Sequence, residues 1–427
     1  MAANPNTISA GIQETWDNVY QVTHHKIPVY PAISNFRLAA GLRKGDTVHR
    51  QYRNTLVANT MGADGSFTRQ AITDTDESLV INKEKEASFY IKELDEIQNH
   101  LPTRAKHAFD ASVAIFNQID GDVLGEYDQF TNTLDDGDLG GTAGNGLTVT
   151  AANVRSLFSN AMRLLQRENI MLDNTAKFTG FRKEDMTKSR GVAVISPDVY
   201  NTLIESLDGK DSSLGDQVGI NGHVGRYYNF DIFVSNALGW SATLALATNP
   251  TDGDTIVING VTVTFVATLS AASGASEVHI ASTVDITRAN LVEFLNAAGA
   301  NDETEATDTG YSSTSAANQI LLGNMTWTND NTADTATVKS TGRGFVVVSE
   351  TFTDGTDTWT AAKQVQHCLF GVANSIDVVI QKTPSIKTQD RSGFVGVDVV
   401  TWAAYGYKVF NESKVRMIDA QIRTDAY

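Results

Sequence analysis

Ile81-Asn-Lys-Glu-Lys-Glu-Ala-Ser-Phe-Tyr-Ile-Lys-Glu-Leu-Asp-Glu-Ile-Gln98 runs through Asn99-His-Leu-Pro102 into Arg104–Tyr127. Phe89–Leu94 reads as a short strand, and Pro102 suits the first turn of a helix, where its missing N–H costs nothing. Ala105, Ala108, Phe109, Ser112, Val113, Phe116 and Ile119 then recur at three- and four-residue spacings, which predicts one long amphipathic helix ending near Tyr127.

Upstream, residues 1–43 mix polar side chains with Trp16, Tyr20, Tyr30 and Phe36 and carry Pro5, Pro28 and Pro31, the texture of an extended arm laid on other surfaces. From Lys44 to Val80 the sequence alternates in short runs around Gly62-Ala-Asp-Gly65, which predicts a long two-stranded hairpin. A lone hairpin is marginal in water, so this one needs a surface to lie on, such as a neighbouring subunit.

Downstream of the Gly/Asp-rich loop Asp135–Gly146, Val154, Leu157, Phe158, Ala161, Leu164 and Leu165 form the apolar face of a helix starting near Thr150, with Thr148 or Thr150 as its cap. Gly191–Ser196 reads as a buried strand, Asp198–Leu207 as a helix and Gly225–Ser235 as a hairpin, together an α+β unit. The composition shifts after Trp240. Residues 241–362 hold 3 Lys+Arg and 14 Asp+Glu, and Thr255–Phe265 carries an Asn259-Gly260 hairpin turn. A helix from Arg288 and strands near Ile320–Thr328 and Gly344–Ser349 would complete a small unit of its own, read as an inserted domain because ordinary core texture resumes at Val365. The β runs Ser375–Gln381, Phe394–Phe410 and Lys414–Arg423 close the chain, with Gly406 marking a bend and Asn411 a turn.

The 427 residues suit about two to three domains, and a net charge of −17 argues against a basic face gripping phosphates. The single cysteine, Cys368, excludes an internal disulfide framework and reads as a small buried hydrophobe. No stretch reads as a secretion signal or membrane span, so synthesis and folding in cytoplasm are expected.

Chemistry is hard to find. The 137–146 loop lacks the Gly-Lys-Ser/Thr of a phosphate cradle, and His24-His25 would point to different faces. Asp135/Asp136/Asp138, Asp252/Asp254 and Asp354/Asp357 lack the full calcium-loop pattern. Arg104, Lys106 and the run Arg182–Arg190 read as solvated faces or subunit contacts. No nucleophile–His–acid set can be assembled from spacing. No catalytic, cofactor-binding or metal residue is assigned, and no enzyme activity is expected.

The order of arm, long hairpin, strand into long helix, α+β unit and returning sheet rests on Ile81–Gln98 leading into Arg104–Tyr127, Val194-Ile-Ser-Pro-Asp-Val-Tyr-Asn-Thr-Leu203, Gly225–Asn236 and Ala404-Tyr-Gly-Tyr-Lys-Val409. It resembles the major capsid proteins of tailed bacteriophages, the HK-ninety-seven fold family, over the chain outside 241–362. The resemblance implies an α+β fold with an N-terminal arm (1–43), an extended loop (44–86), a peripheral domain with a spine helix (87–190), an axial domain (191–240 and 363–381), an acidic β-rich insertion domain (241–362) and returning peripheral strands (382–427). It implies a virion shell of pentamers and hexamers assembled in the host cytoplasm around double-stranded DNA, with a separate scaffolding protein, a portal and room for a decoration protein, and no membrane. Some members weld their shells by a Lys–Asn isopeptide bond from the extended loop; Gly45–Asn82 contains no lysine and Lys44, Lys83 and Lys85 lie only at its base, so non-covalent burial by the arm, hairpin and insertion is expected to hold the shell instead. The alternative readings are an encapsulin-like compartment and an acidic cell-surface or adhesin protein.

Overall fold

A computed structural model describes residues 26–38, 45–53, 56–94, 103–170, 191–208, 224–270, 274–300, 303–306, 308–342, 344–353, 355–390, 393 and 395–424. Most of the expected arm, His24-His25, the helix opening at Asn99–Pro102 and the basic run Arg182–Arg190 lie outside the described residues. The chain divides into two compact units, one of Met1–Ile27, Glu84–Phe116 and Lys382–Ala404, the other of Pro28–Lys83, Asn117–Gln381 and Tyr405–Tyr427.

In the first unit the strand is longer than the sequence suggested. Lys83–Lys92 forms ten residues of alternating half-buried and exposed side chains, not a short run from Phe89. Lys83 and Lys85 take inward positions because their methylene stems can cover apolar surface, so charge did not mark the edge of the strand. It neighbours Gly396–Lys408, which neighbours Ile376–Asp390. The Tyr90 hydroxyl donates to the Val395 carbonyl at 2.9 Å.

The long helix spans Thr103–Leu124 and tightens into a 3-10 turn at Gly125–Gln129. Its buried apolar side chains are Ala108, Ala111, Ile115, Ile119, Val123 and Leu124, while Ala105 and Phe109 are exposed. The expected face was rotated, because the broad stripe of apolar residues also contains this narrower i, i+3/i+4 series and the smaller residues won it.

The second unit is built on a ten-stranded sheet. Its path runs Met325–Asp330, Thr335–Ser340, Trp240–Ala245, Val365–Val372, Gly191–Ile195, Phe230–Val234, Arg226–Tyr227, and Met417–Arg423 also pairs antiparallel with Val365–Val372. Val365–Val372 is buried at every position. The turn after Gly191–Ile195 is set locally: the Ser196 hydroxyl accepts the Val199 amide at 3.3 Å and Pro197 opens the helix Pro197–Leu207, one residue before the expected start. The other cap differs more. The helix begins at Val154 with Asn153, not Thr148 or Thr150, at its head. Asn153 accepts the Thr150 amide at 2.7 Å and donates to the Thr148 carbonyl at 2.8 Å, tying down the preceding turn.

A second, six-stranded sheet runs Glu303–Ala306, Thr309–Tyr311, Glu277–His279, Val261–Val266, Thr255–Ile258, Val348–Thr351. Asn259 and Gly260 link two of its strands with φ of 49° and 81°, the backbone of a type I′ turn. Residues near Ile320 form the helix Ala316–Leu322 rather than a strand, and the following strand starts at Met325. The next strand starts at Val348, not Gly344, whose φ of +67° breaks extended backbone. Trp240, Ile256, Phe265, Leu291, Phe294, Trp327, Val338 and Trp359 belong to one apolar cluster confined to Trp240–Trp359. Within it Arg288 is fully buried, its guanidinium reaching Asp285 (2.5 Å), Asn329 (2.7 Å), Asp334 (3.4 Å) and the Leu246 carbonyl.

Candidate assembly surface

The expected hairpin is present. Thr47–Arg53 and Asp74–Val80 pair antiparallel from Thr47↔Val80 to Arg53↔Asp74, and Gly65 N donates to Gly62 O at its tip. Its base is seated firmly. Leu79 is fully buried against Val379 and Phe410, and Arg50 lies 5.1 Å from the Phe410 ring centroid, reaching Asp377 at 3.4 Å and also pairing with Glu412. Gly406 is not a bend: it lies within the strand Gly396–Lys408, and a Cβ there would come 2.4 Å from the Val80 carbonyl oxygen. Glycine lets that strand pass directly under the foot of the hairpin.

Beyond the paired strands every described residue from Leu56 to Thr73 is exposed. Leu56, Val57, Met61, Phe67 and Ile72 are 59–74% exposed. Five large apolar side chains on one projecting, two-sided ribbon form a surface that water disfavours and that a partner would cover.

Other polar groups converge at the foot. Asp76, Glu77, Glu126, Lys408 and Lys414 line one recess there. Burial, reinforced by Asp128, pushes the Glu126 carboxyl up to about 7 against the opposing pull of Lys83. Lys408 donates to the Ser78 carbonyl at 2.7 Å and Glu77 accepts the Asn411 amide at 3.3 Å. The described part of the arm is held separately: Asp120 accepts the amides of Val29 and Tyr30 at 2.8 and 2.7 Å, and Ser34-Asn35 pairs parallel with Ile376-Asp377.

The described residues of the acidic clusters are engaged in local structure. Asp135 accepts the amides of Gly137 (2.9 Å) and Gly144 (2.5 Å), and Asp136 that of Thr142 (2.9 Å), so the glycine loop and the acidic cluster satisfy each other. Asp254 accepts from Thr251 N (2.7 Å) and Thr353 Oγ1 (2.5 Å), Asp252 from Ala267 N (2.8 Å), and Asp357 from Ala247 N (2.8 Å). Among the described residues no three His, Cys, Asp or Glu side chains form a metal-ligating group. Arg104 and Lys106 sit on the long helix, Lys106 in solvent. Cys368 is fully buried, which pushes its thiol up to about 12.

One constellation that spacing could not assemble does come together. His367 Nε2 lies 2.9 Å from Ser241 Oγ and its Nδ1 lies 2.8 Å from Asp419 Oδ2. The distances match a nucleophile–base–acid relay. However, His367 and Asp419 are buried, Ser241 lies inside a strand paired on both sides, and the Tyr127 ring stacks on the imidazole at 3.6 Å. The relay links three chain segments within the fold.

No protein-family model matches the sequence, and no curated protein matches it. Among solved structures, one of Mycobacterium phage Che8 matches with a TM-score of 0.54 at 14% identity, covering 98% of each chain. A capsid structure of the cyanophage P-SCSP1u matches with a TM-score of 0.51 at 11% identity, covering 99% of this chain and 96% of that one. The chain is an α+β protein that shares the fold of these two phage structures, one of them a capsid structure, in keeping with the fold expected from Ile81–Tyr127 and its flanks.

Proposed function

We propose that this chain is the major capsid subunit of a tailed, double-stranded DNA bacteriophage, assembling into the pentamers and hexamers of an icosahedral shell. The observation that carries the reading is the hairpin 47–80, seated by Leu79 and Arg50 while Leu56, Val57, Met61, Phe67 and Ile72 project into solvent, on a fold shared with a phage capsid structure. Each subunit covers a neighbour's apolar surface with this ribbon, and repetition of that contact closes the shell. The role is structural. Residues 241–362 serve as the inserted domain, whose acidity keeps shells soluble and apart. Assembly takes place in the host cytoplasm with a separate scaffolding protein and a portal, and the shell holds DNA without gripping it.

Electron microscopy of the purified protein, alone and beside particles from its native source, tests this. Closed shells of uniform diameter or polyheads are expected, with DNA inside native particles. Shells holding enzymes instead of DNA would make it a cargo compartment, and a persistent monomer under every condition would overturn the shell.

A further inference from the structure

The turn Ser340–Gly342, from the segment between Trp240 and Trp359, meets the end of the long helix backbone to backbone. A Cβ on Gly121 would lie 2.4 Å from Gly342 Cα, and one on Gly125 would lie 2.6 Å from Thr341 Cγ2. Gly342 also holds φ at +71°, so glycine is required there twice over. Gly121 near the end of the helix and Gly125 opening the 3-10 turn both favour the unfolded chain, so this helix end is weak unless something else holds it.

Polar contacts flank the glycines. Asn324 Nδ2 donates to Gln118 Oε1 at 3.3 Å, Gln118 Nε2 donates to Asp122 Oδ1 at 2.8 Å, and the Asp122 carboxylate also accepts the Tyr405 hydroxyl. Lys339 Nζ pairs with Asp128 Oδ2 at 2.7 Å and sits 5.9 Å from the Tyr127 ring centroid. Tyr127 in turn covers His367, whose bridge to Ser241 and Asp419 ties the first strand of the segment to the C-terminal strand. The Trp240 indole donates to Thr424 Oγ1 at 3.2 Å in the same corner. The exposed ion pair adds little alone; the close glycine contact fixes how near the two backbones lie.

We propose that residues 323–342 are an intramolecular clamp on residues 117–130, so that helix end and inserted turn open and close as one cooperative unit. The inference concerns the isolated subunit and stands apart from the shell reading. The segment 241–362 then does more than decorate the subunit. It sets the rigidity of the long helix where that helix meets the central sheet, and a partner bound to one side of the clamp would bias the other.

Hydrogen exchange on the full chain distinguishes the clamp by sign. On helix propensity alone, Gly121→Ala should slow exchange in 117–130. The clamp requires the reverse: about tenfold or faster exchange in both 117–130 and 323–342, because the new methyl separates the backbones. Gly260→Ala, in the same segment at φ +81° with nothing near its Cβ position, strains a distant turn and should leave 117–130 unchanged. If Gly121→Ala does not fold, Asn324→Ala at an exposed position with Lys339→Met at a half-buried one should loosen the same two stretches together. Slower exchange in 117–130 of Gly121→Ala, or a change confined to one stretch in either variant, would overturn the proposal.

Discussion

The Tyr405 hydroxyl donates to Asp122 Oδ2 at 2.6 Å, joining residues 283 positions apart. Tyr405 is fully buried, and burial together with the Asp122 carboxylate holds its phenol far above the usual tyrosine range. Tyr405→Phe keeps the ring and leaves Asp122 with Gln118 as a donor. It should cost about 1.5–3 kcal/mol, read as a lower urea midpoint at unchanged slope.

Arg288 is a fully buried guanidinium surrounded by acceptors on the turn Asn329–Asp334, on Asp285 and on the Leu246 carbonyl. Arg288→Ala leaves the Leu246 carbonyl without its donor beside a cavity, while the half-exposed Asp285 and Asp334 regain water, and should destabilise the 240–362 segment by about 1–3 kcal/mol. Limited proteolysis should then cut within 246–340 well before 365–423.

Leu56, Met61 and Phe67 project from the hairpin without supporting the fold of their own subunit. Replacing Met61 and Phe67 by serine should change subunit stability by no more than about 0.5 kcal/mol per site while abolishing closed shells. Sedimentation and thermal melts of the same preparation separate the two effects. Loss of stability equal to the loss of assembly would mean the ribbon packs on its own subunit.

Glu126 gives the subunit a pH dependence of definite sign. Its carboxyl is raised from 4.5 to about 7 by burial first and Asp128 second. Below pH 4.5 it is protonated whether the chain is folded or not. Between about 4.5 and 7 the unfolded chain ionises it and the folded chain does not, so stability falls as pH rises through that window, by an amount on the order of 2–3 kcal/mol. Glu126→Gln removes this slope, and the difference between the two chains in denaturant titrations at pH 5 and pH 8 measures it. A difference independent of pH would show that the carboxyl is already ionised in the fold.

Cys368 should resist alkylation. Complete burial keeps its thiol protonated, so native protein should bind no thiol reagent at pH 8, and labelling should follow unfolding.

Local signals in the sequence translated into structure. Asn259-Gly260 dictated its turn because only residues tolerant of positive φ can make it, and Ser196-Pro197 placed a helix start within one residue. The hairpin 47–80 was visible because its alternation is a local property. Features decided by remote neighbours were not. Charge hid the first half of Lys83–Lys92, Gly406 proved to be a point of close passage beneath Val80, and Phe109 turned away from the face its spacing suggested. The Ser241–His367–Asp419 bridge needs residues 126 and 52 positions apart, distances at which no periodicity operates. The polar pair Gln366-His367 inside a strand of otherwise apolar character was the one hint.

The strand Val365–Val372 lies at the centre of the large sheet, bonded to Gly191–Ile195, Trp240-Ser241 and Met417–Arg423. On the ribosome, the strands before it emerge first and wait with open edges until this late piece arrives, more than 160 residues after the first of its partners. Such non-local pairing folds slowly and exposes apolar edges while it waits. A chain under synthesis thus carries Gly191–Ile195 and Trp240-Ser241 without their partner until residues 365–372 have been made, which makes its folding sensitive to the pace of elongation.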